Sequence, residues 1–89
     1  MIEPTVGRVV WFYSAPREAQ PNAAIVTYVW NTRMVNLVVF DANGVPRSET
    51  SVDLLQDDDK PQGQSRWCEW MPYQKGQAAK TEALEKKLA

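Results

Sequence analysis

Residues 23–44, AAIVTYVWNTRMVNLVVFDANG, decide the fold of this chain. Two runs rich in β-branched and aromatic residues, 23–30 and Met34–Phe40, predict two β-strands. The three residues between them, Asn31-Thr32-Arg33, predict a tight hairpin. The Asn43-Gly44 pair after the second run can adopt positive φ, so a second hairpin turn is predicted there. The stretch therefore predicts consecutive strands with no helix between them.

Three further strands are predicted on either side of this stretch. They cover residues 5–13, Pro46–Leu55 and 66–71, with polar loops at 14–22 and 56–65. Gly7, inside the first of these runs, predicts a bulge or a close approach of the backbone. Five short strands joined by turns predict an all-β fold, a small five-stranded barrel over residues 1–76. An SH3-like barrel is the first choice and an OB-like barrel the second.

Residues 77–89 differ in composition from the predicted barrel. Ala, Leu, Glu and Lys dominate this segment, and these residues favour helix. A helix of about three turns is marginal in water on its own. We therefore expect a polar helical or frayed C-terminal tail behind a hinge at Lys75-Gly76.

Composition excludes several kinds of chemistry. The chain of 89 residues contains no histidine and one cysteine, Cys68. It therefore has no imidazole to activate a nucleophile or ligate a metal, and it cannot form an intramolecular disulfide. The opening residues do not look like a signal peptide, and no apolar run reaches the ~18–20 residues of a membrane span. We expect a non-enzymatic protein with no cofactor, no metal and no membrane association.

Charge is distributed unevenly along the chain. Residues 1–74 carry six basic and nine acidic side chains, which gives a net charge of −3, and the compensating lysines lie in the tail. An acidic body disfavours duplex nucleic acid as a partner, because affinity for a duplex comes mainly from contacts with phosphates. Five of the six basic residues in the body are arginines. Arginine suits a bidentate grip on a few phosphates or carboxylates.

The segment RWCEWMPY at 66–73 concentrates aromatic surface in the last predicted strand. Strand alternation places Cys68 and Trp70 on one face, and we predict that both are core residues. Trp67 shares the other face with Glu69, so we expect it to be exposed and able to stack on a base or a partner surface. Stacking on a base contributes roughly 1–3 kcal/mol.

The first predicted strand is apolar on both faces, with Val6, Val10 and Phe12 on one and Val9, Trp11 and Tyr13 on the other. Either the strand is covered on both sides, or one face is reserved for a ligand. In the second case the two aromatic rings form a platform, with arginines nearby to pair with phosphate. The predicted ligand-binding residues are Arg8, Trp11, Tyr13, Arg47, Arg66, Trp67 and Tyr73. Trp30 fits either a ligand site or an oligomer interface.

Four blocks of the chain together resemble a group of small proteins encoded by tailed bacteriophages and prophages. The blocks are VGRVVW at 6–11, QPNAAIVTYV at 20–29, VNLVVFDANG at 35–44 and CEWMPYQKG at 68–76. The resemblance leaves out the tail. It implies that the protein acts in the cytoplasm of an infected bacterial host.

Two functions follow as hypotheses. The leading one is a homo-oligomeric phage accessory protein that binds a small anionic ligand and sequesters a linear or cyclic nucleotide immune signal, as a sponge against host defence. The alternative is an SH3-like protein-interaction module that binds a host or virion protein in an aromatic groove of Trp67, Trp70 and Tyr73. A third reading, single-stranded nucleic-acid binding by an OB-like face, is disfavoured by the acidic body.

Overall fold

The computed structural model describes residues 1–14, 20–57 and 59–88. Five strands and one helix follow one another along the chain: β1 Val9–Ser14, β2 Asn22–Asn31, β3 Met34–Phe40, β4 Pro46–Leu55, β5 Arg66–Glu69 and α1 Pro72–Leu88. The strands close into a barrel in the order β1-β2-β3-β4-β5. The predicted all-β barrel with a C-terminal helix is therefore confirmed.

Neighbouring strands in the barrel are also neighbours along the chain, except that β1 pairs with β5 to close it. All pairs are antiparallel except β4 with β5, which meet in parallel register at Leu54 and Leu55. An OB-like barrel needs a Greek key crossover, and this meander has none. The strand order therefore favours the SH3-like choice over the OB-like one.

The turns follow the predicted chemistry. Asn31 Oδ1 accepts a hydrogen bond from the Arg33 amide at 2.8 Å in the β2–β3 turn. Asp41 Oδ1 accepts two, from the amides of Asn43 and Val45, and Gly44 has a φ of +81°. Side-chain acceptors and a residue with positive φ are the local requirements of such turns. The β3 and β4 boundaries agree with the prediction.

β1 begins four residues later than predicted. Gly7 has a φ of +97°, and its amide donates to the Val26 carbonyl at 2.8 Å. The chain therefore turns at Gly7, where the absence of a Cβ removes the steric penalty, and enters the strand only at Val9. β5 is also shorter than predicted and ends at Glu69. The predicted loop at 14–22 falls largely outside the described residues.

The barrel interior is apolar and closely packed. The buried cluster consists of Val10, Phe12, Ala24, Val26, Val35, Leu37, Val39, Val52, Leu54, Cys68 and Trp70. Cys68 and Trp70 are 0% and 1% exposed, which confirms the core assignment of both.

One polar side chain, Gln56, is buried at the edge of this core. Its Oε1 accepts hydrogen bonds from the Ile2 amide and Trp70 Nε1, and its Nε2 donates to the carbonyls of Ile2 and Thr32. A buried amide has two donors and two acceptor sites to satisfy, and here all four are used. Gln56 thereby joins the N-terminal segment, the β2–β3 turn and the residue that follows β5.

Helix α1 begins at Pro72, five residues before the predicted start. Gln74 Oε1 accepts from the Met71 amide at 2.8 Å, the reciprocal bond of a capping box, and proline is favoured at the first helical position. Gln74 Nε2 also donates to the Val9 carbonyl at 2.9 Å, which ties the first turn to β1. The predicted hinge is wrong, because Lys75-Gly76 lies inside the helix. Among the described residues, no helix combines the length and apolarity needed to cross a membrane.

Candidate functional site

The structure separates the seven predicted ligand-binding residues. We call the end of the barrel where β4 and β5 finish and α1 begins the helix end, and the opposite end, with the β3–β4 turn, the turn end. Arg8 and Tyr73 lie at the helix end, Trp11, Tyr13 and Trp67 on the outer face of β1 and β5, and Arg47 and Arg66 towards the turn end. No single site contains all seven.

The outer aromatic cluster is packed rather than open. Tyr13 and Trp67 face each other in register across β1 and β5, and their rings stack with centroids 5.4 Å apart. They are 8% and 6% exposed, and Leu55 and Trp11 pack beside them. The Tyr13 hydroxyl donates to Glu69 Oε1 at 3.0 Å.

This packing corrects the prediction that Trp67 is exposed. Trp67 does share a face with Glu69, but β1 places the Tyr13 ring directly against it, and each ring covers the other. The sequence allowed two interpretations of β1. Coverage on both sides of the strand is correct at Tyr13, whereas Trp11 remains partly exposed.

The two arginines near the turn end share the carboxylate of Glu49. Glu49 lies between them, with Oε1 3.3 Å from Arg66 Nη1 and Oε2 3.2 Å from Arg47 Nε. Arg66 Nη2 also donates to the Thr50 carbonyl at 2.7 Å. β5 pairs with β4 only beyond this point, at Leu54 and Leu55, so Arg66 bridges a stretch that the strand ladder does not close. Both guanidinium groups are therefore engaged by the fold.

Arg8 and Tyr73 are brought together at the helix end. They line a groove of about 610 Å³ between the N-terminal segment and α1, with Met1, Ile2, Glu3, Gln74, Gln77, Ala78, Thr81 and Glu82. The Arg8 guanidinium lies over the Trp70 ring, 5.7 Å from its centroid, and Tyr73 is 74% exposed. Of the two carboxylates in the groove, Glu82 lies 3.5 Å from the Met1 ammonium group.

Arg8 differs from the other described arginines in its partners. Arg33 pairs with Asp59 at 2.9 Å, and Arg47 and Arg66 share Glu49. Within residues 1–14, 20–57 and 59–88, no ion pair involves Arg8. Its N–H groups are therefore the most available of these arginines to an incoming anion.

The thiol of Cys68 is poorly reactive at neutral pH. Burial, reinforced by Asp53 and Glu69, raises the pKa of Cys68 to about 12. The nucleophilic thiolate is therefore scarce at neutral pH. Among the described residues, no three acidic or thiol side chains are placed to hold a metal ion.

One exposed aromatic pair was missed as a site. Tyr28 and Trp30 are 50% and 55% exposed, and their rings meet edge to face at 4.7 Å. Strand alternation from Ala24 and Val26, which point into the core, would also send both rings inward. An irregularity in the β2–β3 register between Val26 and Tyr28 reverses this direction, and a second irregularity follows between Val29 and Asn31.

The Tyr28–Trp30 pair is held in place by hydrogen bonds. Trp30 Nε1 donates to Asn36 Oδ1 at 2.9 Å, and the Ser51 amide donates to the same oxygen at 2.8 Å. Ser51 has a φ of +54°, unusual for a residue other than glycine, where β4 slips against β3. The sequence left Trp30 open between a ligand site and an oligomer interface, and no local signal marks the irregularities that expose it.

No family model, curated protein or solved structure matches this chain. The resemblance to phage proteins, and the host compartment that it implies, therefore stay predictions.

Proposed function

We propose that the groove at the helix end binds a small anionic ligand that carries an aromatic base, as nucleotides do. The observation that carries this proposal is the placement of Arg8. It is an exposed arginine without a carboxylate partner among the described residues, and it shares a concave surface with the exposed ring of Tyr73.

The chemistry of the groove suits such a ligand. A guanidinium offers paired N–H donors to a phosphate, and the Arg8 group lies over the Trp70 ring, 5.7 Å from its centroid. Tyr73 offers an aromatic face to a base. A volume of about 610 Å³ falls within the ~300–1,000 Å³ typical of small-molecule pockets.

The biological role that we propose is sequestration. The phage resemblance suggests a setting in which a host signals infection with linear or cyclic nucleotides. A protein that removes such a signal needs affinity rather than catalysis, which agrees with a chain that has no histidine and a thiol of high pKa.

Isothermal titration calorimetry and thermal-shift measurements with linear and cyclic nucleotides test the proposal. We expect Arg8→Ala and Tyr73→Ala each to weaken binding about tenfold or more, as the loss of one charged contact or one stacking partner does. Lys80→Ala is the matched control, because it removes a positive charge from an exposed position of α1 outside the groove. If no nucleotide binds, or if all three variants weaken binding equally, the groove is not the site.

A protein-interaction module is the second candidate. The aromatic groove first expected for it does not form, because Trp67 and Trp70 are buried and only Tyr73 is exposed. The specific observation in favour of this function is instead the fixed and exposed Tyr28–Trp30 pair. Recovery of a host or virion protein at a stoichiometric ratio from infected cells, lost with Trp30→Ala, would support it over nucleotide binding.

A further inference from the structure

We infer that the groove at the helix end selects nucleotides that carry a single negative charge, as a cyclic nucleotide closed by a phosphodiester does, over nucleotides with a free triphosphate. This selectivity rests on the proposed function of the groove and narrows its ligand class. The residues that we assign to it are the two carboxylates of the groove, Glu3 and Glu82.

The groove contains one cation that is available to a phosphate. The Arg8 guanidinium takes part in no ion pair among the described residues. The Met1 ammonium group also borders the groove, but it lies 2.9 Å from Asp57 and 3.5 Å from Glu82. Since one guanidinium grips one phosphate through paired N–H donors, the groove offers one strong phosphate subsite.

The neutral side chains of the groove add little for a second phosphate. Gln74 Nε2 already donates to the Val9 carbonyl at 2.9 Å, and the Thr81 hydroxyl donates to the Gln77 carbonyl at 3.0 Å. Hydrogen bonds from neutral donors are about half as strong as those from charged donors. Further phosphates would therefore find no substitute for a second free cation.

Two carboxylates stand on opposite walls of the groove and repel additional negative charge. Glu3 lies on the N-terminal segment and Glu82 on α1, and neither forms an ion pair with Arg8 within the described part of the chain. With Arg8 and the Met1 ammonium group, they make the lining of the groove neutral overall. At physiological salt, like charges repel one another over about 8 Å. Each phosphate beyond the first therefore meets repulsion without a compensating partner.

The same carboxylates suit the nucleoside part of the ligand. An ionised carboxylate only accepts hydrogen bonds, and a nucleoside presents donors in its sugar hydroxyls and exocyclic amino groups. Tyr73 is 74% exposed and offers the ring on which the base would stack. The groove thus pairs one phosphate subsite at Arg8 with acceptors for the uncharged part of the molecule.

Isothermal titration calorimetry with one base and three phosphate groups tests this selectivity. The probes are cyclic AMP, AMP and ATP without Mg²⁺, which carry one, about two and about four negative charges at neutral pH. The corresponding guanine nucleotides are titrated in parallel, so that the result does not depend on the base. We expect affinity to fall along each series, by about tenfold or more from the cyclic nucleotide to the triphosphate.

Removal of one carboxylate should weaken the selectivity. Glu3→Gln should raise the affinity for ATP about threefold to tenfold and that for cyclic AMP by less than about twofold, because repulsion scales with the charge of the ligand. Glu82→Gln should act in the same direction. Since it also alters the contact with the Met1 ammonium group, circular dichroism checks that this variant is folded.

Asp53→Asn is the matched control for these two variants. It removes one negative charge from a different groove, and its amide oxygen can still accept the hydrogen bond from Gln64 Nε2, which is 3.1 Å long in the wild type. We expect it to leave the ratio of the ATP and cyclic AMP affinities unchanged. An equal change of this ratio in all three variants would assign the selectivity to the net charge of the protein and overturn the role of Glu3 and Glu82.

The titrations separate failure of the selectivity from failure of the site. ATP that binds as tightly as cyclic AMP overturns the selectivity and leaves the nucleotide site standing, as does a preference that both Glu3→Gln and Glu82→Gln leave intact. If none of the adenine or guanine nucleotides binds, the proposed function fails and the selectivity fails with it.

Discussion

Two aromatic groups on the outside of the same barrel have opposite environments. Tyr13 and Trp67, on β1 and β5, lie face to face and are almost fully buried, whereas Tyr28 and Trp30, on β2, are about half exposed. Composition does not separate the groups, since each contains one tyrosine and one tryptophan. The difference lies in the neighbouring strand: β5 carries a ring opposite Tyr13, whereas β3 carries Asn36 opposite Tyr28.

The comparison teaches that outward direction and exposure are separate properties. A side chain that leaves the barrel interior is covered when an adjacent strand supplies a ring of matching size in register. It stays exposed when the adjacent residue is a small amide. The two groups should therefore respond very differently to the same substitution.

Truncation of one tryptophan from each group gives the largest expected difference. Trp67→Ala should lower the free energy of unfolding by about 3–5 kcal/mol, because it removes a buried ring and leaves Tyr13 without its stacking partner. Trp30→Ala should lower it by about 1–2 kcal/mol, since it loses one exposed hydrogen bond and the buried half of one ring. Urea unfolding at low micromolar protein concentration, where self-association contributes little, measures both. Equal losses for the two variants would contradict the division into a covered and an exposed group.

Stability at alkaline pH tests whether β5, the strand that carries Trp67, stays closed over the core. Cys68 follows Trp67 on β5 and points inward, and its pKa is raised from 9.0 to about 12 by burial, with Asp53 and Glu69 adding to it. Between these values the unfolded chain releases the thiol proton and the folded chain keeps it. Stability should therefore fall by up to about 1.4 kcal/mol per pH unit from pH 9 towards 12.

Cys68→Ala isolates this effect, because it lacks the titrating group. Between pH 8 and 10 the wild-type protein should lose more stability in urea unfolding than the variant does. A thiol reagent should also modify native Cys68 only at the rate of unfolding. Rapid modification of Cys68 at pH 8 under native conditions would show that β5 opens locally.

Removal of one hydroxyl from each group gives the smallest difference. Tyr13→Phe should cost about 1 kcal/mol, because it removes the hydrogen bond to Glu69 from a partly buried position. Tyr28→Phe should change stability by less than about 0.5 kcal/mol at its exposed site. Differential scanning calorimetry measures the thermal unfolding of both variants. A larger effect for Tyr28→Phe than for Tyr13→Phe would reverse the comparison.

Several elements were predictable because their causes are local. β3 and β4 have the predicted boundaries, since turn residues beside each strand mark where it begins or ends. The core positions of Cys68 and Trp70 follow from alternation within one short strand. The start of α1 was predicted too late because Gly76 disfavours helix. The hydrogen bond from the Met71 amide to Gln74 Oε1 begins the helix earlier.

The candidate sites were less predictable because their causes are not local. Arg47 and Arg66 looked available for an anion until the fold placed Glu49 between them. Arg8 and Tyr73 are 65 positions apart in the chain, and only the docking of α1 beside the N-terminal segment puts them in one groove.

Residues 23–44, through their turn chemistry and β-branched runs, determined by themselves that this chain forms consecutive strands with hairpin turns. Such preferences act over a few residues and need no distant partner. Only the tertiary structure decided which aromatic side chains are covered, which arginines are neutralised and where β2 slips against β3. Each of these depends on a residue from another strand, and the register that brings the two together is a property of the closed barrel.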